Sequence, residues 1–295
     1  MQIYDIPIDS TGRETTAHGT FEFPMAVYET LLRKNVLGFV NWHWHREFQF
    51  CLVTAGAVEF YIQRQQLRLE AGQGLFINSN ILHMARPLCP EAAYCCIDVL
   101  PGLLVGFPGS LLDVTLVTPL SADPALPFWA LTGTDEASQR GLKLLGQVRQ
   151  IYEEAPPGYP LAAVGLLMAL LQVILSLGRS SDSTSHEDFS QLRSVLAYIH
   201  GHFSEKLTLA QCAALGNLSP SEFSRRFRRT MHCTLTDYIR QVRIQRGAAL
   251  LLDPARSISQ IAYECGFSTT SYFISQFRQA TGLTPLRYRQ EHLHG

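Results

Sequence analysis

The chain contains no Cys-x-x-Cys pair; its seven cysteines are scattered over 295 residues, so a disulfide framework is not expected. No nucleophile-base arrangement and no phosphate-binding glycine loop is present, which removes the enzyme classes built on either. No signal peptide or targeting motif opens the chain, and a soluble cytoplasmic protein is the expectation. Long apolar runs are also scarce. Only residues 161–177 approach the length of a membrane span, and they lack basic flanks and are interrupted by Gln172 and Ser176. That run is read as a helix buried on its own domain and against a partner chain, with no membrane involved.

What is present is enough apolar content, 46%, for two cores in a chain of two-domain length. The net charge of −1 conceals a polarity. Residues 188–295 hold 13 Lys and Arg against 7 Asp and Glu, whereas residues 1–187 hold 11 against 18. Only the basic half suits a polyanion.

That half carries one pattern written twice. Leu209, Cys212 and Ala213 mark a helical face, followed across a Ser-Pro turn by Leu218, Phe223 and Phe227. Ile258, Ile261, Ala262 and Cys265 repeat it, followed after Gly266 by Phe267, Phe273 and Phe277. Ala262 lies 49 positions after Ala213 and Phe277 lies 50 after Phe227, so one insertion relates the copies. Each copy has the spacing of a helix-turn-helix. In the first, Ser221, Ser224, Arg225 and Arg228 share the side opposite Phe223 and Phe227, as base readers and phosphate contacts require. In the second, Thr270, Ser271, Ser275 and Gln276 face outward to read bases, with Arg278 to phosphate. The linking helix, residues 234–252, is about 28 Å long at 1.5 Å per residue. Two heads at that spacing reach successive major grooves.

The acidic half has two parts. From Gly38, short alternating runs such as Phe48, Phe50, Leu52 and Val58, Phe60, Ile62 are separated by close turns, the pattern of a small β-barrel or sandwich. Residues 1–37 are weakly periodic and read as irregular, and residues 101–129 as strands and loops closing the barrel. Adjacent Cys95 and Cys96 face opposite ways in a strand, with plain structural use expected over redox sensing. Beyond Thr134 the period lengthens to that of helices. Leu142, Leu145, Val148 and Tyr152 trace one helix, and 161–177 the next. Residues 179–188 have the composition of a linker.

His43, His45 and Glu47 alternate and share a face of one strand, where His83 can meet them from a neighbouring strand. Two or three histidines with a carboxylate form a legitimate divalent-metal set. The expectation, however, is hydrogen-bonded histidines of a ligand pocket, with no metal and no cofactor; Trp42 and Trp44 are assigned to barrel packing.

Two stretches resemble one family. Asn41-Trp42-His43-Trp44-His45-Arg46-Glu47, with Phe76-Ile77-Asn78-Ser79-Asn80 and His83, resembles the cupin-type sensing domain of AraC/XylS-type transcription regulators. Gly266-Phe267-Ser268, Tyr272-Phe273, Phe277-Arg278, Gly282-Leu283-Thr284-Pro285 and Tyr288-Arg289 match that family's DNA-binding signature. The resemblance implies seven helices with two helix-turn-helix units, base reading by Ser221, Ser224, Arg225, Thr270, Ser271 and Ser275, and dimerisation through the helical pair. His232 departs from the family's turn glycine, and Gly247 from a common helix alanine.

The resulting expectation is a mixed β and α chain. A cupin-like sensing barrel (1–134) is followed by a helical pair (135–178), a linker (179–188) and an all-α DNA-binding domain (189–295). Its function is sequence-specific transcription regulation, as an activator, controlled by a small effector such as a sugar held by His43, His45, Glu47 and His83. Promoter DNA, RNA polymerase and a second copy of the chain are the expected partners. The alternative is a cupin metalloenzyme or metal sensor with a DNA-binding appendage.

Overall fold

A computed structural model of the chain describes residues 5–123, 125–177 and 186–293. Among the described residues, nine strands form two antiparallel sheets: β1 (Met25–Leu31), β2 (Val40–His43), β3 (Phe48–Ala55), β4 (Ala57–Ile62), β5 (Gln65–Glu70), β6 (Gly74–Ile77), β7 (His83–Pro87), β8 (Ala93–Val99) and β9 (Phe128–Leu131). One sheet has the order β1-β8-β3-β6-β9, the other β2-β7-β4-β5. Gly56 reverses the chain between β3 and β4 with φ +62°, and a Cβ there would collide with the Cys89 sulfur. That turn therefore requires glycine.

Strand alternation sorts the larger sheet into two cores. Cys51, Val53, Leu75, Ile77 and Cys96 face the second sheet and meet Val58, Phe60, Ile62 and Leu69 inside the barrel. Phe48, Phe50, Phe76, Cys95 and Ile97 face the other way, onto two helices, α2 (Glu136–Glu154) and α3 (Tyr159–Ser176). Phe48 and Phe50 thus serve the helical pair, and Cys95 and Cys96 do take opposite sides. All seven cysteines are free.

Three expectations change. Residues 1–37 are not irregular throughout, because Met25–Leu31 is strand β1, paired along its length with β8. Both of its faces are largely buried, which erases the alternation that would have marked it. Residues 101–129 are mostly helical turns, Pro101–Leu104 and Asp113–Val117 running into α1 (Thr118–Ser121), with β9 the single strand. Val117 and Leu120 anchor that stretch while Phe107, Leu111 and Val114 stay exposed. Leu145, on the face that traces the first of the helical pair implied to dimerise, is wholly internal, in one core with Val148 and with Leu167, Leu170 and Ile174 of α3. Leu161 and Leu175 are the α3 leucines that remain exposed. Most of the expected linker lies outside the described residues, and 186–188 open the next helix.

Seven helices complete the described residues: α4 (His186–His202), α5 (Leu209–Leu215), α6 (Pro220–Met231), α7 (Leu235–Leu251), α8 (Ile258–Glu264), α9 (Thr270–Thr281) and α10 (Pro285–Leu293). The repeat is visible in their caps. Thr208 and Gln211 form a capping box at α5, and Ser257 and Gln260 form the same box at α8. Ser219 and Thr269 each accept from a backbone N–H at the start of α6 and α9. Tyr238 packs on Phe227 and Tyr288 on Phe277, at ring separations of 5.8 and 5.3 Å. Helix α7 belongs to both halves: Tyr238 and Val242 pack in the first core, Ile244 and Ala248 in the second. Its 17 residues span about 26 Å. Gly247 sits where a Cβ would come within 3.0 Å of the Phe273 ring, so its cost in helix propensity leaves space for that ring.

Candidate effector cluster and nucleic-acid interface

The two reading surfaces stand as the periodicity requires. Phe223 and Phe227 of α6 are fully buried, and Ser221, Ser224, Arg225 and Arg228 are exposed on the side away from them. In α9 Phe273 and Phe277 are buried, Ser271, Ser275 and Arg278 are exposed, and Thr270 and Gln276 are half-buried. The α6 surface is the more basic; its Arg226 pairs with Glu222 at 3.0 Å. His232 ends α6 in the left-handed region at φ +51°, at the place equivalent to Gly282, φ +77°. The imidazole is held against the barrel, stacked parallel to Trp42 and 4.5 Å from the Tyr61 ring.

Strand β2 has two functional faces. Trp42 and the neighbouring Trp44 do not line the barrel; they join Tyr61, Leu82 and Met84 in one core with α4, α5, α6 and α7. The Trp42 indole donates to the Met231 carbonyl at 3.1 Å, and the Arg193 guanidinium lies 3.8 Å from the Trp44 ring centre. Asn41 donates to Gln245 of α7 at 2.7 Å, and Gln245 to Asp5 at 3.1 Å.

On the opposite face, His43 and His45 meet His83 of β7, with ring centres 4.2 Å apart for His43–His83 and 5.1 Å for His45–His83. Glu47 stands at the edge of the group, 3.6 Å from His45 Nδ1. Three residues that the sequence pattern did not single out complete it. Glu14 lies 3.7 Å from His43 Nε2 and 3.6 Å from His18 Nε2, and His18 Nδ1 is 3.5 Å from Asp98. Glu14 and His18 come from the segment before β1 and Asp98 from β8; no local periodicity connects them to β2.

Hydrogen bonding accounts for only part of the cluster. His43 Nδ1 donates to the Asn41 carbonyl and His83 Nδ1 to the Ile81 carbonyl, both at 2.8 Å. His83 Nε2, both ring nitrogens of His45 and both of His18 are buried without a hydrogen-bond partner. The hydrogen bonds of His43 and His83 are thus those of their Nδ1 atoms to backbone carbonyls. Burial pushes the His83 pKa down to about 4, and burial with neighbouring His83 holds His43 and His45 well below the usual range. Burial, then Asp98, raises Glu14 to about 8, and burial raises Asp98. The His43, His45 and His83 imidazoles are thus neutral.

Two helix-turn-helix units carried beside a sensing barrel define a DNA-binding transcription regulator. Residues 30–171 match the profile of the AraC-like ligand binding domain and residues 212–291 that of a helix-turn-helix domain. The chain is 32% identical over 286 residues to YdeC, an uncharacterized HTH-type transcriptional regulator of Bacillus subtilis (strain 168), covering 96% of this chain and 97% of that one. It belongs to the AraC family of transcription regulators. It is 38% identical over 96 residues to AdaA of the same organism, a bifunctional transcriptional activator and DNA repair enzyme, covering 32% of this chain and 46% of AdaA. Among solved structures it is similar to an AraC-type transcriptional regulator from Chromobacterium violaceum at 25% identity, covering 36% and 94% of the two chains with a TM-score of 0.34.

Proposed function

We propose that the chain is an effector-controlled transcription activator that binds promoter DNA through α6 and α9 and its effector at His43, His45, Glu47 and His83. The observation that carries this reading is β2 itself, which presents His43 to the cluster and Trp42 to the end of α6. Ser221, Ser224 and Arg225 read bases in one major groove and Thr270, Ser271, Ser275 and Gln276 in the next, with Arg228 and Arg278 on phosphates. Activator action is supported by the activator named among the relatives, and implies contact with RNA polymerase. The protein works in the cytoplasm as a homodimer through the exposed side of α3, and no catalytic step is needed. Binding to its own promoter and to scrambled duplex, with transcription in a purified system, tests the reading. Equal affinity for both duplexes would overturn it.

A further inference from the structure

We propose that His43, His45 and His83, joined by Glu14, hold one first-row divalent transition-metal ion. This deepens the effector reading above and rests on it for its regulatory meaning, though the site stands or falls on its own chemistry.

A ligand atom from each of the three histidines lies within 4.8 Å of those of the other two. All three side chains are almost wholly buried, His43 and His45 at 2% exposure and His83 at 3%. Leaving imidazole nitrogens in such a place without partners is costly, and His45 leaves both of its nitrogens so. His43 and His83 spend Nδ1–H on backbone carbonyls, which fixes the tautomer and turns each Nε2 lone pair inward. That outer bond is the one metal-ligating histidines make. Three neutral imidazoles with a carboxylate suit zinc, iron, cobalt, nickel or copper rather than magnesium or calcium.

Glu14 stands outside the 4.8 Å histidine group but beside His43 Nε2, and is the better placed of the two glutamates to supply a carboxylate. Its side chain is 3% exposed and it approaches His43 Nε2 itself, whereas Glu47 is 18% exposed and adjoins only His45 Nδ1. Neighbouring donors on a tetrahedral ion lie about 3.3 Å apart, given metal–ligand bonds of about 2.0–2.1 Å. The rings need to close by up to roughly 1.5 Å to meet that spacing. A cation would also offset the grouping of Glu14 with Asp98 in one buried place. A solvated set of histidines would be exposed or fully partnered, whereas here His83 Nε2 and both nitrogens of His45 are buried without a partner.

The test uses the full chain, freed of any histidine tag and grown in defined medium, with metal content measured by mass spectrometry. Cobalt(II) titration of metal-stripped protein adds a visible spectrum sensitive to nitrogen and oxygen ligands. The expected result is about one equivalent of metal per chain, lost in His45→Ala and His83→Ala. Glu14→Gln, which keeps size and fold, weakens cobalt affinity roughly tenfold or more and alters the spectrum. Far-UV circular dichroism and promoter affinity are recorded for every variant, so loss of fold and failure of DNA binding are read separately from loss of metal. Absence of saturable cobalt binding by folded wild-type protein overturns the site. So does undiminished binding by folded His45→Ala, and unchanged affinity and spectrum in Glu14→Gln removes Glu14 from it.

Discussion

Trp42 and His43 are adjacent on β2 and point to opposite sides of it: the indole N–H reaches the Met231 carbonyl at the end of α6, while the imidazole joins the buried histidines. A strand cannot move one of these side chains far without moving the other. Occupancy of the cluster and the seating of the first recognition helix therefore share one rigid element.

Replacing Trp42 by Phe keeps an aromatic ring but strands the Met231 carbonyl, at a cost of about 1–3 kcal/mol. Hydrogen exchange of residues 230–238 should accelerate by about tenfold or more, one factor of ten for each 1.4 kcal/mol. Unchanged protection there would show that the contact does not hold the domains together.

Arg225→Ala should cost about 1–3 kcal/mol on the cognate site and relax preference at one base position. Arg228→Ala should weaken binding to cognate and scrambled duplex alike and reduce the salt slope by about one unit. Titrations of both variants at several salt concentrations separate the roles. A uniform loss from Arg225→Ala would make that residue a phosphate contact too.

Self-association is tested at Leu161, 82% exposed on α3, and not at Leu145, which lies inside the chain. Leu161→Glu should shift sedimentation towards the monomer with little change in thermal stability, because the side chain contributes little to its own core. Leu145→Ala should instead cost about 2–5 kcal/mol of stability through the cavity it leaves. Wild-type protein that sediments as a monomer at micromolar concentration would remove the dimer.

The DNA-binding domain should lose stability in mild acid through His200 of α4, whose Nε2 is 2.8 Å from the Tyr238 hydroxyl of α7. Burial lowers its folded-state pKa to about 4 from an ordinary 6.5, with Asp9 opposing and Arg246 reinforcing the shift. The unfolded chain takes up the proton first, so this stability is present above pH 6.5 and is lost as the pH falls towards 4. Asp5 nearby works in the opposite sense: raised to about 6 by burial, it gains stability as the pH falls from 6 to below 4. His200→Gln removes one titration and leaves the other. The wild-type minus variant stability should fall by up to about 3 kcal/mol between pH 7 and 4, and a flat difference would mean that His200 is not held neutral.

The reading heads were legible because everything they need is local. Phe223 and Phe227, or Phe273 and Phe277, lie four positions apart on one helix, so a period of 3.6 declares which side is buried and which side is left for Ser224, Arg225 and Ser275. The same holds for the caps and for His43 and His45, two positions apart, with His43 the last residue of β2 and His45 just beyond it. What only the tertiary structure decided lies at long range. Glu14 and His18 reach the histidines from a segment without pattern, and Asp98 arrives through the pairing of β8 with β3, opposite Gln49. Trp42 and Trp44 were assigned to barrel packing because alternation distinguishes two faces of a strand without saying what covers each. Here the DNA-binding domain covers one of them, and a neighbour 189 positions away in sequence leaves no mark on the local period.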